Sequence, residues 1–248
     1  MKLTSLTLIA FFLISCGKKH KGEQSTSLLS HFLSITDNED KGIKEVIDFY
    51  GGTCEYSIGE TISTDSGTKK YFELKLSKSE VANKFASVPE FTASNMAYMF
   101  YKNLNNDKKK YDEIHSVLIL NGKDKYEYKY STGKLDTIST KLKVFSKVLE
   151  SIKGKNYDQL KTILSNDSYK DLDKNQLVLN LKKIDTVYGN IKQALIYGFR
   201  FERQNGFDVL TILGVFLRDK KNNPITIKVD LNSPEDKIHF LDYTVPQN

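Results

Sequence analysis

Residues 191–219 read IKQALIYGFRFERQNGFDVLTILGVFLRD, and the fold of the second half of the chain turns on them. Two runs rich in aliphatic and aromatic residues flank Asn205-Gly206. That dipeptide favours the left-handed backbone of a two-residue hairpin turn. A turn of that length sets Arg203 opposite Asp208, Phe201 opposite Leu210 and Phe199 opposite Ile212. Alternation then collects Leu195, Tyr197, Phe199 and Phe201 on one face with Leu210, Ile212 and Phe216. The other face is mixed, with Arg200, Glu202 and Thr211 near the tip and Val209, Leu213 and Val215 further along. The first face is therefore expected to be the core beneath covering helices.

Working outward, residues 224–231 and 237–244 read as two more strands of the same sheet. Tyr157, Leu160 and Leu164 mark a short helix before it. Asp173 and Gln176 have capping-box spacing for a second helix, carrying Leu177, Leu181 and Ile184. Helices followed by four meandering antiparallel strands resemble the nuclear transport factor two-like (cystatin-like) superfamily. Within residues 154–244, the run NYDQLKTIL…KNQLVLNLKKIDTVYGNIKQA…GFRFE, residues 156–202, is similar to small domains of that superfamily in bacterial secreted proteins. The resemblance implies a cone-shaped sheet closing over a helix, with a pocket at its mouth.

The fold class read from the whole chain is α+β: two small modules of helices packed on curved antiparallel sheets. Residues 28–133 form the first module, 134–153 a connecting helix and 154–248 the cystatin-like module. In the connecting helix Leu135, Ile138, Leu142, Phe145, Leu149 and Ile152 keep one apolar stripe. In the first module, Asp37 is placed to cap a helix with Ile43, Val46, Ile47 and Tyr50 on one face, stopped by Gly51-Gly52. Cys54–Ile62 and Tyr71–Leu76 are strands around a turn at Asp65-Ser66-Gly67. Ser77 and Glu80 suggest a capping box opening a helix that Pro89 interrupts. A second helical segment then presents Met96, Phe100 and Leu104. Ile114–Leu120 and Tyr126–Tyr130 form a hairpin around Asn121-Gly122. Gly59 and Gly67 are spaced like Gly198 and Gly206, which leaves open an internal duplication.

The N-terminus carries the strongest functional signal. Lys2 precedes an apolar stretch, Leu6 to Ile14, and Ser15-Cys16 follows. About 20 apolar residues are needed to span a bilayer, so this stretch reads as a signal peptide, residues 1–15. A cysteine after a small residue at the end of that stretch resembles the lipobox of bacterial lipoproteins. The resemblance implies cleavage after Ser15, thioether diacylglycerol on Cys16 and acylation of the new amine. Residues 16–27 then form the lipidated end and a polar tether. The absence of acidic residues before Glu23 implies, by resemblance to surface-exported lipoproteins, the periplasmic side.

The chain has 248 residues and a net charge of +6, with 37 Lys+Arg against 31 Asp+Glu. Only Arg200, Arg203 and Arg218 are arginines, and the lysines are scattered among acids, which disfavours nucleic-acid binding. Two cysteines exclude a disulfide framework, and Cys54 reads as a small core residue. No nucleophile elbow, P-loop, zinc-helix or dinucleotide motif occurs, so no cofactor, metal or catalytic residue is expected. His20, His31, His115 and His239 are far apart. His115 is expected beside Tyr128 or Tyr130 across its hairpin, where a His–Tyr pair serves either proton transfer or structure. His239 is expected to face solvent or the mixed side. Lys108-Lys109-Lys110 reads as a solvated helix end.

These readings converge on a lipid-anchored envelope protein of non-catalytic binding or structural type. Its partners are the membrane, through the anchor, and a protein or small-molecule ligand that the residues do not name. An immunity or inhibitor protein against a secreted toxin or hydrolase, and an enzyme using the cone pocket, remain as alternatives.

Overall fold

The computed structural model describes residues 35–63, 67–204, 206–233 and 237–242. The stretches read as signal peptide and tether, with Cys16, His20 and His31, lie outside the described residues, as do Asp65, Ser66 and Asn205. The chain divides between Asp136 and Thr137 into two compact units, each α+β with its own four-stranded sheet. The division falls inside one long helix, Thr132–Lys153, within the stretch read as a connector.

In the first unit, helix α1 (Asp37–Tyr50) is capped by Thr36 rather than Asp37. The Thr36 side chain accepts the Glu39 backbone N–H, and the buried Glu39 carboxylate accepts that of Thr36. Gly51 and Gly52 end the helix with φ of +65° and +77°. Strands β1 (Thr53–Ser63) and β2 (Gly67–Ser77) follow as an antiparallel hairpin. Helix α2 (Glu80–Lys84) is capped by Ser79, because Ser77 still belongs to the strand. Pro89 does not interrupt a helix; it begins α3 (Pro89–Asn103), where its missing N–H costs nothing. A 3-10 turn (Asn105–Lys110) leads to the hairpin of β3 (Glu113–Leu120) and β4 (Asp124–Ser131). Because α2 and α3 carry the chain back across the sheet, β2 and β3 pair in parallel.

One face of this sheet lies under α1 and α3. Phe72 stacks on Phe100 of α3 at 4.2 Å between ring centres, and Ser116 Oγ donates to the Ala93 carbonyl. Cys54, Leu74, Leu76, Ile114, Met96 and Leu104 are buried there or against it, so Cys54 is packed as expected. Removing a buried aromatic from such a layer costs about 3–5 kcal/mol.

In the second unit, the helix Thr132–Lys153 (α4) precedes α5 (Tyr157–Ile163) and α6 (Asp171–Tyr188). Strands β5 (Ile191–Gln204), β6 (Phe207–Arg218), β7 (Asn223–Asp230) and β8 (Ile238–Asp242) form an antiparallel meander. Near the turn the register is the expected one: Arg203 opposite Asp208, Phe201 opposite Leu210, Phe199 opposite Ile212. Beyond Gly198 a bulge at Tyr197 shifts it, so that Leu195 pairs with Val215 and Ala194 with Phe216. An extra residue reverses inside and outside along the rest of a strand. Leu195, now opposite Val215, therefore leaves the predicted core face, and Phe199 is its buried aromatic anchor on β5. Phe145 of α4 meets Phe216 at 6.3 Å between ring centres, and Leu160, Leu164, Leu181 and Ile184 complete the apolar layer.

Candidate functional site

The face of the first sheet turned away from α1 and α3 carries a polar cluster built by the parallel join. The register sets Tyr71 beside Glu113 and Glu73 beside His115. The Tyr71 ring lies across Gly59, where an added Cβ would stand 2.5 Å from the phenol oxygen, so the backbone there admits only glycine with the ring in place. Tyr71 and His115 stack with centroids 4.1 Å apart and planes 11° from parallel. His115 Nε2 lies 2.9 Å from Glu113 Oε2, and Lys69 donates to Glu113 Oε1 at 2.9 Å.

Electrostatics fix the protonation of this cluster. Burial holds the His115 imidazole below its ordinary range, outweighing the pull of Glu113. Burial alone would raise Glu113, but hydrogen bonds from His115 and Lys69 win and keep it low. Glu73 is raised by burial and by the charge of Glu127, and Tyr71 by burial and by Glu73. The result is a neutral imidazole donating to a carboxylate, stacked on a phenol that keeps its proton.

His115 is opposite Lys129, not Tyr128 or Tyr130, whose positions alternate onto the Phe72 face. Its aromatic partner comes from β2, through a strand pairing that no local spacing announces. Of the two expectations for His239, the mixed side is the one realised, beside Phe207 and Asp230. His239 is the bulged residue between Lys228–Phe240 and Val229–Ile238 pairs, and its ring bonds Ser168 at 2.8 Å and Asp230 at 3.2 Å. Lys108 and Lys110 are engaged rather than merely solvated. Lys108 lies 4.2 Å over the Tyr101 ring, and Lys110 pairs with Asp107 at 2.9 Å. Among the described residues no three His, Cys, Asp or Glu side chains group to hold a metal.

The second unit holds a cleft of about 450 Å³ lined by Lys155, Tyr157, Lys182, Asp185, Thr186 and Asn190. Its floor is a buried ion pair. Asp185 Oδ1 accepts from Arg218 Nη1 at 2.5 Å, and Oδ2 accepts from the Tyr157 hydroxyl at 2.9 Å. The Arg218 side chain is fully buried; its Nε donates to Asn223 and its Nη1 also to the Gly189 carbonyl. Nη2 has no acceptor among the described residues. Burial and the Asp185 hydrogen bond push the Tyr157 hydroxyl up to about 12, so it stays a donor. Sequence reading did not single out this cleft, because its lining comes from separate helices and the loop after α6.

A smaller cleft of about 370 Å³ lies at the β5–β6 tip, lined by Phe201, Glu202, Arg203, Asp208, Leu231 and Asn232. Phe207 beside it lies 4.5 Å from His239 between ring centres, tilted by 34°, and, like Phe240, remains more than a third exposed.

No family model matches this chain, and no curated protein matches it. A solved structure, that of Bdellovibrio bacteriovorus Bd1075, aligns over 80% of this chain and 71% of its own at 12% identity and a TM-score of 0.34. That level of similarity does not establish a common fold. No helix among the described residues is long and apolar enough to cross a membrane.

Proposed function

We propose that this protein is a lipid-anchored component of the bacterial cell envelope that acts by binding rather than catalysis, on the periplasmic side of the outer membrane. The observation that carries the reading is the order Lys2, apolar Leu6–Ile14, Ser15-Cys16 and a polar tether. Several acyl chains on Cys16 give stable anchoring where one chain binds only marginally. A binding role draws support from the open cleft of the second unit, and several polar groups are tied into holding the fold together. His115 donates to Glu113, and Asp185 accepts from Tyr157 and Arg218. The helices ahead of a four-strand meander support placing the second unit in the cystatin-like superfamily.

Replacing Cys16 with Ala is expected to release the protein from the membrane fraction and to block normal processing. Mass spectrometry of the mature N-terminus is the check; an unmodified residue other than Cys16 there overturns the reading. A second reading, an inhibitor or immunity protein, draws on the exposed Phe207 and Phe240. It requires a secreted toxin or hydrolase whose activity falls when this protein is added and recovers with Phe207→Ser/Phe240→Ser.

A further inference from the structure

The lysines that are scattered along the sequence converge at one end of the second unit. Lys155 and Lys182 line the cleft described above. Around it, Lys153 reaches the Lys192 carbonyl at 3.2 Å, Lys192 pairs with Asp219 at 3.0 Å, and Lys220 approaches the Thr186 carbonyl. Within the lining, the single carboxylate is Asp185, and both its oxygens are occupied by Arg218 and Tyr157. Neither Lys155 nor Lys182 meets a carboxylate among the described residues. Lys182 is instead held 5.3 Å from the Tyr157 ring centre. Lys155 sits at a φ of +57°, a left-handed position that non-glycine residues seldom occupy.

We propose that this cleft binds a small phosphate-bearing ligand. Its two ammonium groups balance the charge of a phosphate dianion, as lysine does as a point charge. The Asn190 side-chain amide supplies a further donor, and the flank of the Tyr157 ring receives the carbon part of the ligand. A volume of about 450 Å³ is that of a small-molecule site, larger than a lone ion needs. The Arg218–Asp185 pair works beneath this surface: it neutralises the carboxylate that would otherwise repel the anion. This names a ligand class for the binding role proposed above and rests on it, but it does not depend on the anchor.

The test uses the full-length protein in detergent, titrated with inorganic phosphate and, separately, with phosphatidylglycerol in mixed micelles, phosphatidylcholine in the same micelles serving as the reference. Lys155→Gln/Lys182→Gln is compared with Lys143→Gln/Lys147→Gln, which removes the same charge from the exposed side of α4. Saturable phosphate binding, weakened about tenfold or more by the cleft pair and unchanged by the α4 pair, is the expected result. Saturable binding to phosphatidylglycerol alone, lost with the cleft pair only, supports the site and assigns the phosphate to a lipid headgroup. No saturable binding to either probe overturns the proposal, and so does equal loss with both pairs, which is the signature of net charge. Membrane fractionation of Cys16→Ala reports separately on the anchor, so the two ideas fail independently.

Discussion

The two sheets list their strands in the same sequential order yet differ at the central joint. In the first unit β2 and β3 are parallel; in the second β6 and β7 are antiparallel. The strands alone do not decide it, although β3 is buried along almost its whole length. The difference lies in where the helices stand. In the first unit α2 and α3 are inserted between two hairpins, and a chain that crosses the sheet returns in the same direction. In the second unit all the helices come first, and short turns can only reverse the chain. An internal duplication would repeat the helix placement, and it is not repeated. The glycine echo is local: Gly67 and Gly206 both hold left-handed turn positions, at +70° and +86°.

If the halves are separate folding units, damage to one core should stop at its own boundary. Phe199→Ala is expected to cost about 3–5 kcal/mol and to expose the amides of β5–β8 to hydrogen exchange while β1–β4 stay protected. Phe72→Ala should do the reverse. Loss of protection in both sheets from either change would make them one cooperative unit.

A smaller effect separates the two sheets through their glycines. A Cβ on Gly59 meets the Tyr71 ring, whereas one on Gly214 meets the Leu195 carbonyl at 2.8 Å. Both Ala variants should lose about 1–3 kcal/mol in denaturant titrations. Trimming Tyr71 to Ala should absorb the cost at Gly59, so that the double variant is no less stable than Tyr71→Ala. No side-chain trim should rescue Gly214→Ala. A Gly59→Ala defect that persists without the Tyr71 ring would mean the ring is not what the glycine accommodates.

The smallest expected effect is pH dependence in the first unit. His115 titrates lower in the folded protein than in the unfolded chain, so unfolding takes up a proton in the window between. Stability should therefore fall as pH drops below the ordinary histidine value of about 6.5 and level off below the depressed one. Glu113, also lowered, adds a further loss in the carboxylate range. Denaturation midpoints of the first unit measured from neutral to mildly acidic pH should slope for the wild type and flatten for His115→Gln. An unchanged slope would place the titrating group elsewhere.

Much of the framework could be read from residue order. The hairpin around Asn205-Gly206, the helix stop at Gly51-Gly52 and the stripe of the long helix each depend on neighbours a few positions away. What escaped depends on distant ones. The bulge at Tyr197 looks like uninterrupted alternation, and only the pairing with β6 shows that one residue is extra. Ser77 and Ser79 both suit a cap for α2, and the length of β2 decides between them. The Tyr71–His115 stack needs the parallel join, and the basic cleft needs α6 folded beside the start of α5. Signals at the N-terminus, by contrast, belong to sequence alone.

Strand β4 has a consequence beyond its own sheet. It is an outermost strand, and an unpaired strand edge invites other chains to add to it and grow aggregates. Its sequence DKYEYKYS places three tyrosines on the Phe72 side and Lys125, Glu127 and Lys129 on the other. A second chain docking there would have to desolvate those charges or match them in register. At the far edge of the second sheet, β8 spans Ile238–Asp242 among the described residues. If the proposed anchor concentrates the protein on a membrane, its copies meet constantly, and the charged edge of β4 favours their staying dispersed there.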